Sequence, residues 1–216
     1  MSRELATAWV GGWVVSRGTS APRRTPWGLR IDVGQPRHAA RYVMLEAREP
    51  LVRDLVGRAS TPALWLKTFV EPETVEPWLS PDWTRDVPGW LMAVDLAAAP
   101  VSVPDGYTLG VRRESGVIYI EVLSADGTIA AHGQVGLNDE TATVDIVGTA
   151  PAHQRRGLGT VVLRTLANEA LASGAQTGIL GATVEGRALY EALGWKSYAP
   201  LAGFIHRDPE LASAAG

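Results

Sequence analysis

The stretch that decides the fold reads DIVGTAPAHQRRGLGT, from Asp145 to Thr160. It begins with apolar, β-branched residues that favour a strand, and it ends where an apolar pattern at helical spacing begins. Between the two lies the pattern Q-x-x-G-x-G, made by Gln154, Gly157 and Gly159. Glycines let the backbone approach an anion, and the first turn of a helix offers unpaired N–H groups at its positive end. The stretch therefore predicts a pyrophosphate-binding loop between a strand and a helix.

Other glycine-rich phosphate loops do not fit this spacing. A Walker loop continues as G-K-[ST], which does not follow here, and the dinucleotide fingerprint spaces its glycines differently. Arg155 and Arg156 add positive charge inside the loop. The alternative interpretation is an ordinary strand–helix turn with two solvated arginines.

A second segment supports the first. About twenty-five residues further on, the chain reads GATVEGRALYEALGW, from Gly181 to Trp195. The two segments together resemble the GNAT superfamily of acyl-CoA-dependent N-acetyltransferases, over roughly residues 107–206 and most strongly over 144–196. The resemblance implies a mixed α/β sheet with helices on its faces and acetyl-CoA as co-substrate.

The resemblance also implies roles for single residues. The backbone of the fourth family strand binds the pantetheine arm and polarises the thioester carbonyl, which assigns this role to Val147 and Thr149, with Gly148 as a bulge. The family tyrosine that protonates the leaving thiolate corresponds to Tyr190, whose alternative role is packing in the core. The pyrophosphate loop corresponds to Gln154, Arg155, Arg156, Gly157, Leu158, Gly159 and Thr160.

Amide formation needs a neutral amine, and an aliphatic amine has a pKa of about 10.4, so a base or desolvation must remove its proton. Asp145 is the first candidate for the base, because it lies two residues before Val147 and is expected to share its face of the strand. Glu121 and His132 follow, and His153 is expected to face solvent or phosphate. The alternative role of Asp145 is structural.

The proline- and glycine-containing stretch 97–106 divides the chain into a region of residues 1–100 and an acetyltransferase-like domain of residues 101–216. The first half reads β-β-α-β-α-β. The second half reads as a three-strand meander followed by β-α-β-α-β, in which the first strand is 141–149, and it ends with strands near 195–199 and 203–206. The predicted fold class is thus α/β with mixed sheets, a GNAT-like second half packing against a smaller, tryptophan-rich first half. The predicted elements of the first half are strands 28–33, 41–46, 63–70 and 89–96 and helices 49–59 and 71–79.

The first half holds seven of the eight tryptophans. They form a core or line a pocket, and the loop around Trp78 and Trp83 is the best candidate for a pocket. The second half departs from the family in having Thr183 where Asn is common and in leaving no room for loop helices between Tyr107 and Ile129. We therefore expect the first half, which loosely resembles a degenerate copy of the family core without the glycine loop, to supply that wall of the site.

Composition narrows the functional classes. The chain has 216 residues, a formal net charge of −3 and no cysteine, which argues against a broad nucleic-acid surface and excludes disulfides and thiolate chemistry. The absence of cysteine fits a cytoplasmic protein, and no two histidines have metal-ligand spacing, so no metal is expected. The apolar run Leu5–Val15 is shorter than a membrane span, and Trp9 and Trp13 in it suit one buried helical face rather than a secretory leader.

These observations predict an enzyme that transfers an acetyl group from acetyl-CoA to a primary amine of a small molecule. Direct attack by the amine agrees with the lack of a G-x-S-x-G motif and of cysteine. The protein is expected to act as a monomer or homodimer, with no nucleic-acid or membrane partner. The alternatives are a CoA-binding sensor or scaffold without turnover, and an acetyltransferase acting on protein lysines or N-termini.

Overall fold

The computed structural model describes residues 2–207. Two 3-10 turns, Glu76–Trp78 and Pro151–His153, accompany the helices and strands. The helices are α1 (Arg3–Arg17), α2 (Glu49–Gly57), α3 (Pro72–Val75), α4 (Leu158–Ala172) and α5 (Val184–Ala192). The strands are β1 (Arg23–Thr25), β2 (Gly28–Gln35), β3 (His38–Met44), β4 (Leu64–Thr68), β5 (Trp83–Arg85), β6 (Gly89–Asp95), β7 (Tyr107–Glu114), β8 (Val117–Ser124), β9 (Ile129–Asn138), β10 (Thr141–Thr149), β11 (Thr177–Thr183), β12 (Lys196–Pro200) and β13 (Ala202–His206).

The strands form two mixed sheets, which confirms the predicted fold class. The first sheet has six strands in the order β1-β2-β3-β4-β13-β5. The second has seven, in the order β12-β6-β11-β10-β9-β8-β7, and the meander β7-β8-β9 lies at one edge as predicted. Each sheet contains one parallel pair, β3 with β4 and β10 with β11, joined by a crossover helix as parallel strands require.

The two halves of the chain exchange a strand. β6, from the first half, lies between β11 and β12 of the second sheet, antiparallel to both. β13, from the end of the chain, lies between β4 and β5 of the first sheet. The sheets therefore do not follow the predicted boundary at residue 100, and that division into domains stays a prediction.

Outward from the parallel pair, both sheets have the same strand arrangement. In each sheet, five neighbouring strands pair in the sequence antiparallel, parallel, antiparallel, antiparallel. These strands are β2-β3-β4-β13-β5 in the first sheet and β9-β10-β11-β6-β12 in the second. The crossover helices α2 and α4 occupy equivalent places in the chain order. This correspondence supports the prediction of a degenerate second copy, with the last strand of each half exchanged.

Helix α1 lies between the two sheets. Ser2 caps its start by accepting a hydrogen bond from the Leu5 N–H, and Gly18 ends it in the left-handed conformation. Trp9 and Trp13 are buried on it, as their spacing predicted. They belong to a core that also takes side chains from both sheets, so α1 joins the two layers.

A close backbone contact fixes α1 against the second sheet. A Cβ added at Gly12 would lie 2.3 Å from Thr143 Oγ1 and 2.9 Å from the Gly136 carbonyl oxygen. A Cβ at Gly136 would lie 2.1 Å from the Gly12 carbonyl oxygen. Thr143 Oγ1 also donates a hydrogen bond to the Trp9 carbonyl. Only glycine at both positions allows the helix and the sheet to approach this closely.

Most predicted elements are present, with small differences in bounds. The short strands β1 and β5 were not predicted, because three residues give too little alternation to recognise. The helix expected over 71–79 is α3 followed by the 3-10 turn, since Pro77 interrupts helical hydrogen bonding. Within residues 2–207, no helix has the length and apolar character needed to cross a membrane.

We expect Gly12→Ala to destabilise the protein by about 1–3 kcal/mol, because the added methyl group overpacks the contact between α1 and the sheet. Gly57→Ala is the matched control, since a Cβ there meets nothing within 4 Å. Gly12 lies inside α1 and Gly57 ends α2, so the gain in helix propensity is at least as large at Gly12. A lower stability of Gly12→Ala than of Gly57→Ala therefore reports the close approach. Urea unfolding measures it, and equal midpoints would contradict the close approach.

Candidate functional site

The site begins where β10 separates from β11. The two strands pair from Thr141↔Thr177 to Val144↔Leu180 and no further, although each strand continues. The register of β10 against β9 shifts between Asp145 and Gly148, and this shift is the bulge expected at Gly148. Ile146 there has a φ of 50°, a conformation that costs a β-branched residue about 1–3 kcal/mol. The bulge thus leaves backbone of β10 facing a slot instead of β11.

The bulge also places two predicted residues on opposite faces. Val147 lies beside Val162 and packs against the core under α4. Asp145 faces α1 instead, where it accepts hydrogen bonds from Ser16 and Arg17. The expectation that Asp145 and Val147 share a face is therefore wrong, because the bulge breaks the two-residue alternation.

The predicted phosphate loop precedes α4. Gly157 is the N-cap residue with a φ of 79°, and no side chain among the described residues caps the helix. The Thr160 N–H already donates to the Gly157 carbonyl, whereas the N–H groups of Leu158 and Gly159 have no such backbone bond and can bind a ligand. The side chain of Leu158 is buried in the core, so this residue can take part only through its backbone. Gly159 is needed for a second reason, because a Cβ there would lie 2.9 Å from Leu189 of α5.

Tyr107, which belongs to no motif in the sequence, braces this loop. The Tyr107 hydroxyl lies 2.9 Å from His153 Nδ1 and accepts a hydrogen bond of 3.0 Å from Arg156. The Tyr107 and His153 rings also meet edge to face. His153 thus packs against Tyr107 rather than facing solvent freely. Only the fold brings the start of β7 to the loop, so nothing local in the sequence indicated this contact.

A cleft of about 770 Å³ lies between the two sheets. The bulge on β10, the end of β11 and the start of α5 form one wall, which includes Asp145 and Tyr190. Residues of α1, β3 and β4 form the other wall, so the first half lines the cleft as expected. Its tryptophans there are Trp9, Trp13 and Trp65. The interpretation of Trp78 and Trp83 as pocket residues is wrong, since both pack in the core between the first sheet and α2.

The C-terminal end of α1 holds Asp145 in place. Arg17 donates to both carboxylate oxygens, at 2.5 Å from Nε and 3.0 Å from Nη2. Ser16 Oγ donates a third hydrogen bond at 3.1 Å, and Gln134 in turn donates to Ser16. Since each carboxylate oxygen has two lone pairs, Asp145 Oδ1 keeps one position for a further donor.

Tyr190 lies half-buried on α5, with its ring against Gly186 and 6.0 Å from the ring of Trp195. Burial raises the pKa of Tyr190 above its ordinary value, and the negative charge of Asp145 raises it further. Both effects keep the hydroxyl protonated at neutral pH. Tyr190 can therefore donate a proton inside the cleft.

The other candidates for a base lie elsewhere. Glu121 and His132 are cross-strand neighbours on β8 and β9, and both are exposed outside the cleft. The Gly148 position lies against the His132 ring, where a Cβ would be 2.8 Å away. Among the residues that the structure describes, no group of three or more histidine, aspartate or glutamate side chains is arranged to hold a metal.

The equivalent place in the first half lacks both the separated strand pair and the glycine loop. β3 and β4 stay paired to their last residues, Met44↔Thr68, so no slot opens between them. The following helix, α2, has Arg48 as its N-cap, and the residues before it, 45–48, read LEAR and contain no glycine. In the part of the first half that the structure describes, neither feature is therefore present.

We expect Gly157→Ala to raise the dissociation constant for acetyl-CoA about tenfold or more, because the added Cβ disturbs the left-handed turn that presents the N–H groups. Gly174→Ala at the other end of α4 is the matched control. Gly174 also has a positive φ with open space around its Cβ position, so both variants bear the same backbone strain. Calorimetry with acetyl-CoA tests this, and equal affinities in the two variants would remove the loop from the site.

Comparison with known proteins places these residues within a family match. The family model described as Acetyltransferase (GNAT) family matches residues 73–195, which include the bulge, the loop and Tyr190. The matched region begins before residue 100 and so includes β6, the strand that the first half contributes to the second sheet. A comparison with curated proteins gave no match.

Solved structures share the fold. A GCN5-related N-acetyltransferase from Kribbella flavida superposes with a TM-score of 0.71 at 17% identity, covering 99% of this chain and 98% of that one. A tandem GNAT protein from the clavulanic acid biosynthesis pathway gives a TM-score of 0.53 at 14% identity, covering 70% and 66%. A GCN5-related N-acetyltransferase from Sphaerobacter thermophilus gives 0.51 at 12% identity, covering 67% and 61%. At these identities the likeness establishes the fold.

Proposed function

Because the chain belongs to the acetyltransferase (GNAT) family, we propose that it transfers an acetyl group from acetyl-CoA to a primary amine of a small molecule. The observation that carries this proposal is the convergence of a bulged strand, a free helix N-terminus and a protonated tyrosine on one side of the molecule. We further propose that the protein acts in the cytoplasm.

The proposed binding mode follows the strand and the loop. The pyrophosphate of acetyl-CoA binds the backbone N–H groups between Gln154 and Thr160, with Arg155 and Arg156 adding charge. The pantetheine arm lies along the backbone of Val147 and Thr149, in the slot that β11 leaves open. A backbone N–H of β10 can then stabilise the oxyanion of the thioester carbonyl, a contribution of about 3–4 kcal/mol in other acyl transfers.

The proposed chemistry is direct transfer. The amine nitrogen attacks the thioester carbon and forms a C–N bond, the C–S bond breaks, and CoA leaves as the thiolate. The acetyl group is then bonded to nitrogen as an amide. Asp145 Oδ1 accepts the proton that the amine loses, and the Tyr190 hydroxyl protonates the departing thiolate. No acyl-enzyme forms. A protonated amine loses two protons in all, one before attack and one as the amide forms, and the thiolate gains one. One proton is therefore released to solvent per turnover, and proton exchange with solvent returns Asp145 and Tyr190 to their starting states.

The shape of the cleft favours a small acceptor. A protein substrate needs an open surface for its backbone, whereas here the first sheet and α1 face the reacting side across a walled cleft. A protein acetyltransferase would acetylate peptides with lysine or a free N-terminus, and a sensor would bind acetyl-CoA without releasing thiol. Thioester cleavage measured with a thiol reagent across small amines and such peptides separates the three functions.

We expect Tyr190→Phe to lower kcat by about 10²–10⁴-fold while leaving acetyl-CoA affinity unchanged, because it removes the proton donor and keeps the ring packing. Tyr198→Phe is the matched control, since Tyr198 is 52% exposed and does not line the cleft. Steady-state kinetics together with calorimetry test this. Full kcat in Tyr190→Phe would leave Tyr190 as a packing residue.

We expect Asp145→Asn to lower kcat/KM for the amine by about 10²–10⁴-fold at pH 7, with a smaller loss at higher pH. The loss shrinks because solvent itself deprotonates more of the amine as the pH approaches its pKa of about 10.4. Arg17→Met breaks the same ion pair but keeps the carboxylate. If the two variants share one pH profile, Asp145 acts only through the ion pair and is not the base.

A further inference from the structure

The cleft contains a buried cation that is not paired. Arg41 on β3 is only 8% exposed. Its Nε has no hydrogen-bond partner, and no carboxylate in residues 2–207 lies within ion-pair distance of the guanidinium. An unpaired charge removed from water costs several kcal/mol, so a protein keeps one chiefly where a ligand completes it.

Two tryptophan rings lie near this guanidinium, and Trp13 is at stacking distance from it. Its central carbon lies 3.9 Å from the ring centre of Trp13 and 5.8 Å from that of Trp65. Stacking on a ring uses the face of the planar group, whereas hydrogen bonds are donated in its plane. An in-plane pair of N–H donors matches the two oxygens of a carboxylate.

The neighbouring carboxylates are already engaged. Asp86 pairs with Lys67 at 2.7 Å, and Asp145 pairs with Arg17 at 2.5 Å. Both are near enough to raise the pKa of Arg41, but burial and then the charge of Arg17 lower it to about 9. Arg41 is therefore still cationic at neutral pH and lacks a carboxylate of its own.

The net charge of the side chains that line the cleft also favours an anionic ligand. Burial, followed by the charge of Arg41, lowers the pKa of His38 to about 3, so this imidazole is neutral at pH 7. The described side chains that line the cleft then carry one positive charge in excess. The cations are Arg17, Arg37, Arg41 and Lys67, and the anions are Asp86, Asp145 and Glu185. A single negative charge on a ligand balances them.

We propose that the acceptor amine carries a carboxylate and that Arg41 binds this carboxylate, which makes Arg41 the residue that determines acceptor specificity. The proposal rests on the proposed acetyl transfer and names the class of acceptor. Arg41 belongs to the first sheet and faces the reacting wall across the cleft, while the loop proposed for the CoA pyrophosphate lies at the start of α4. The two anions of the reaction thus have separate binding sites.

The kinetic test compares amino acids, including 4-aminobutyrate, with their methyl esters as acetyl acceptors. Wild type should prefer the free acids by roughly 100-fold in kcat/KM, and Arg41→Met should abolish the preference while retaining turnover of the esters. Arg37→Met, which removes an exposed cation from the same cleft, is the matched control and should keep the preference. Equal use of acids and esters by wild type, or a preference that survives in Arg41→Met, would overturn the proposal.

A binding test without acetyl-CoA separates this inference from the proposed reaction. Tryptophan fluorescence, reported by Trp13 and Trp65, is titrated with 4-aminobutyrate, acetate and inorganic phosphate, with acetamide as the neutral counterpart. The two carboxylates should change the signal in wild type and not in Arg41→Met. No response to either carboxylate in wild type would overturn the proposal, and tighter binding of phosphate would overturn the assignment to a carboxylate.

A stability measurement excludes a merely structural role. Methionine fills the space between the two tryptophan rings without a charge, so Arg41→Met should leave the urea midpoint unchanged or raise it. A lower urea midpoint together with loss of carboxylate binding would make Arg41 a structural residue and overturn the proposal. If no amine in the panel is acetylated although carboxylates bind through Arg41, the proposed reaction fails and the anion site remains.

Discussion

The ion pair between Arg17 and Asp145 is the contact on which the cleft depends most directly. It joins the end of α1 to β10 just before the bulge that turns this strand away from β11. Ser16 and Gln134 complete the connection through further hydrogen bonds. Because α1 is also packed between the two sheets, its position sets the width of the cleft and the direction of Asp145 together. The bonds made by the neighbouring Asp145 thus help to hold the positive φ of Ile146.

The strand exchange explains why one half cannot be understood without the other. β6 completes the second sheet beside β11, the strand from which β10 separates, and β13 completes the first sheet beside β4. Each sheet therefore depends on backbone hydrogen bonds from the other half. Yet the two halves differ in function, since only the second has a glycine loop and a separated parallel pair. The first half contributes a wall with aromatic rings and cations instead.

Burial between the sheets governs the electrostatics of the cleft. The same desolvation raises the pKa of Tyr190, lowers that of His38 to about 3 and lowers that of Arg41 to about 9. In each case the neutral form gains, as expected where water is excluded. Tyr190 thereby keeps its proton, His38 loses its charge, and the remaining charges interact more strongly than they would in water. Such a cleft agrees with the small, charged acceptor that we propose.

The local sequence determined the family, the strand–glycine loop–helix unit and most elements of both halves. Those features depend on residues close together in the chain, such as Gln154, Gly157 and Gly159. Their spacing can be recognised without knowing how distant segments pack. The opposite faces of Asp145 and Val147, the brace by Tyr107, the exchange of β6 and β13 and the meeting of Arg41 with Trp13 were decided only by the tertiary structure. Each of these joins residues from distant segments or depends on a bulge. Hydrophobic periodicity cannot reveal them, because it reports which face of an element is buried and not which other element covers it.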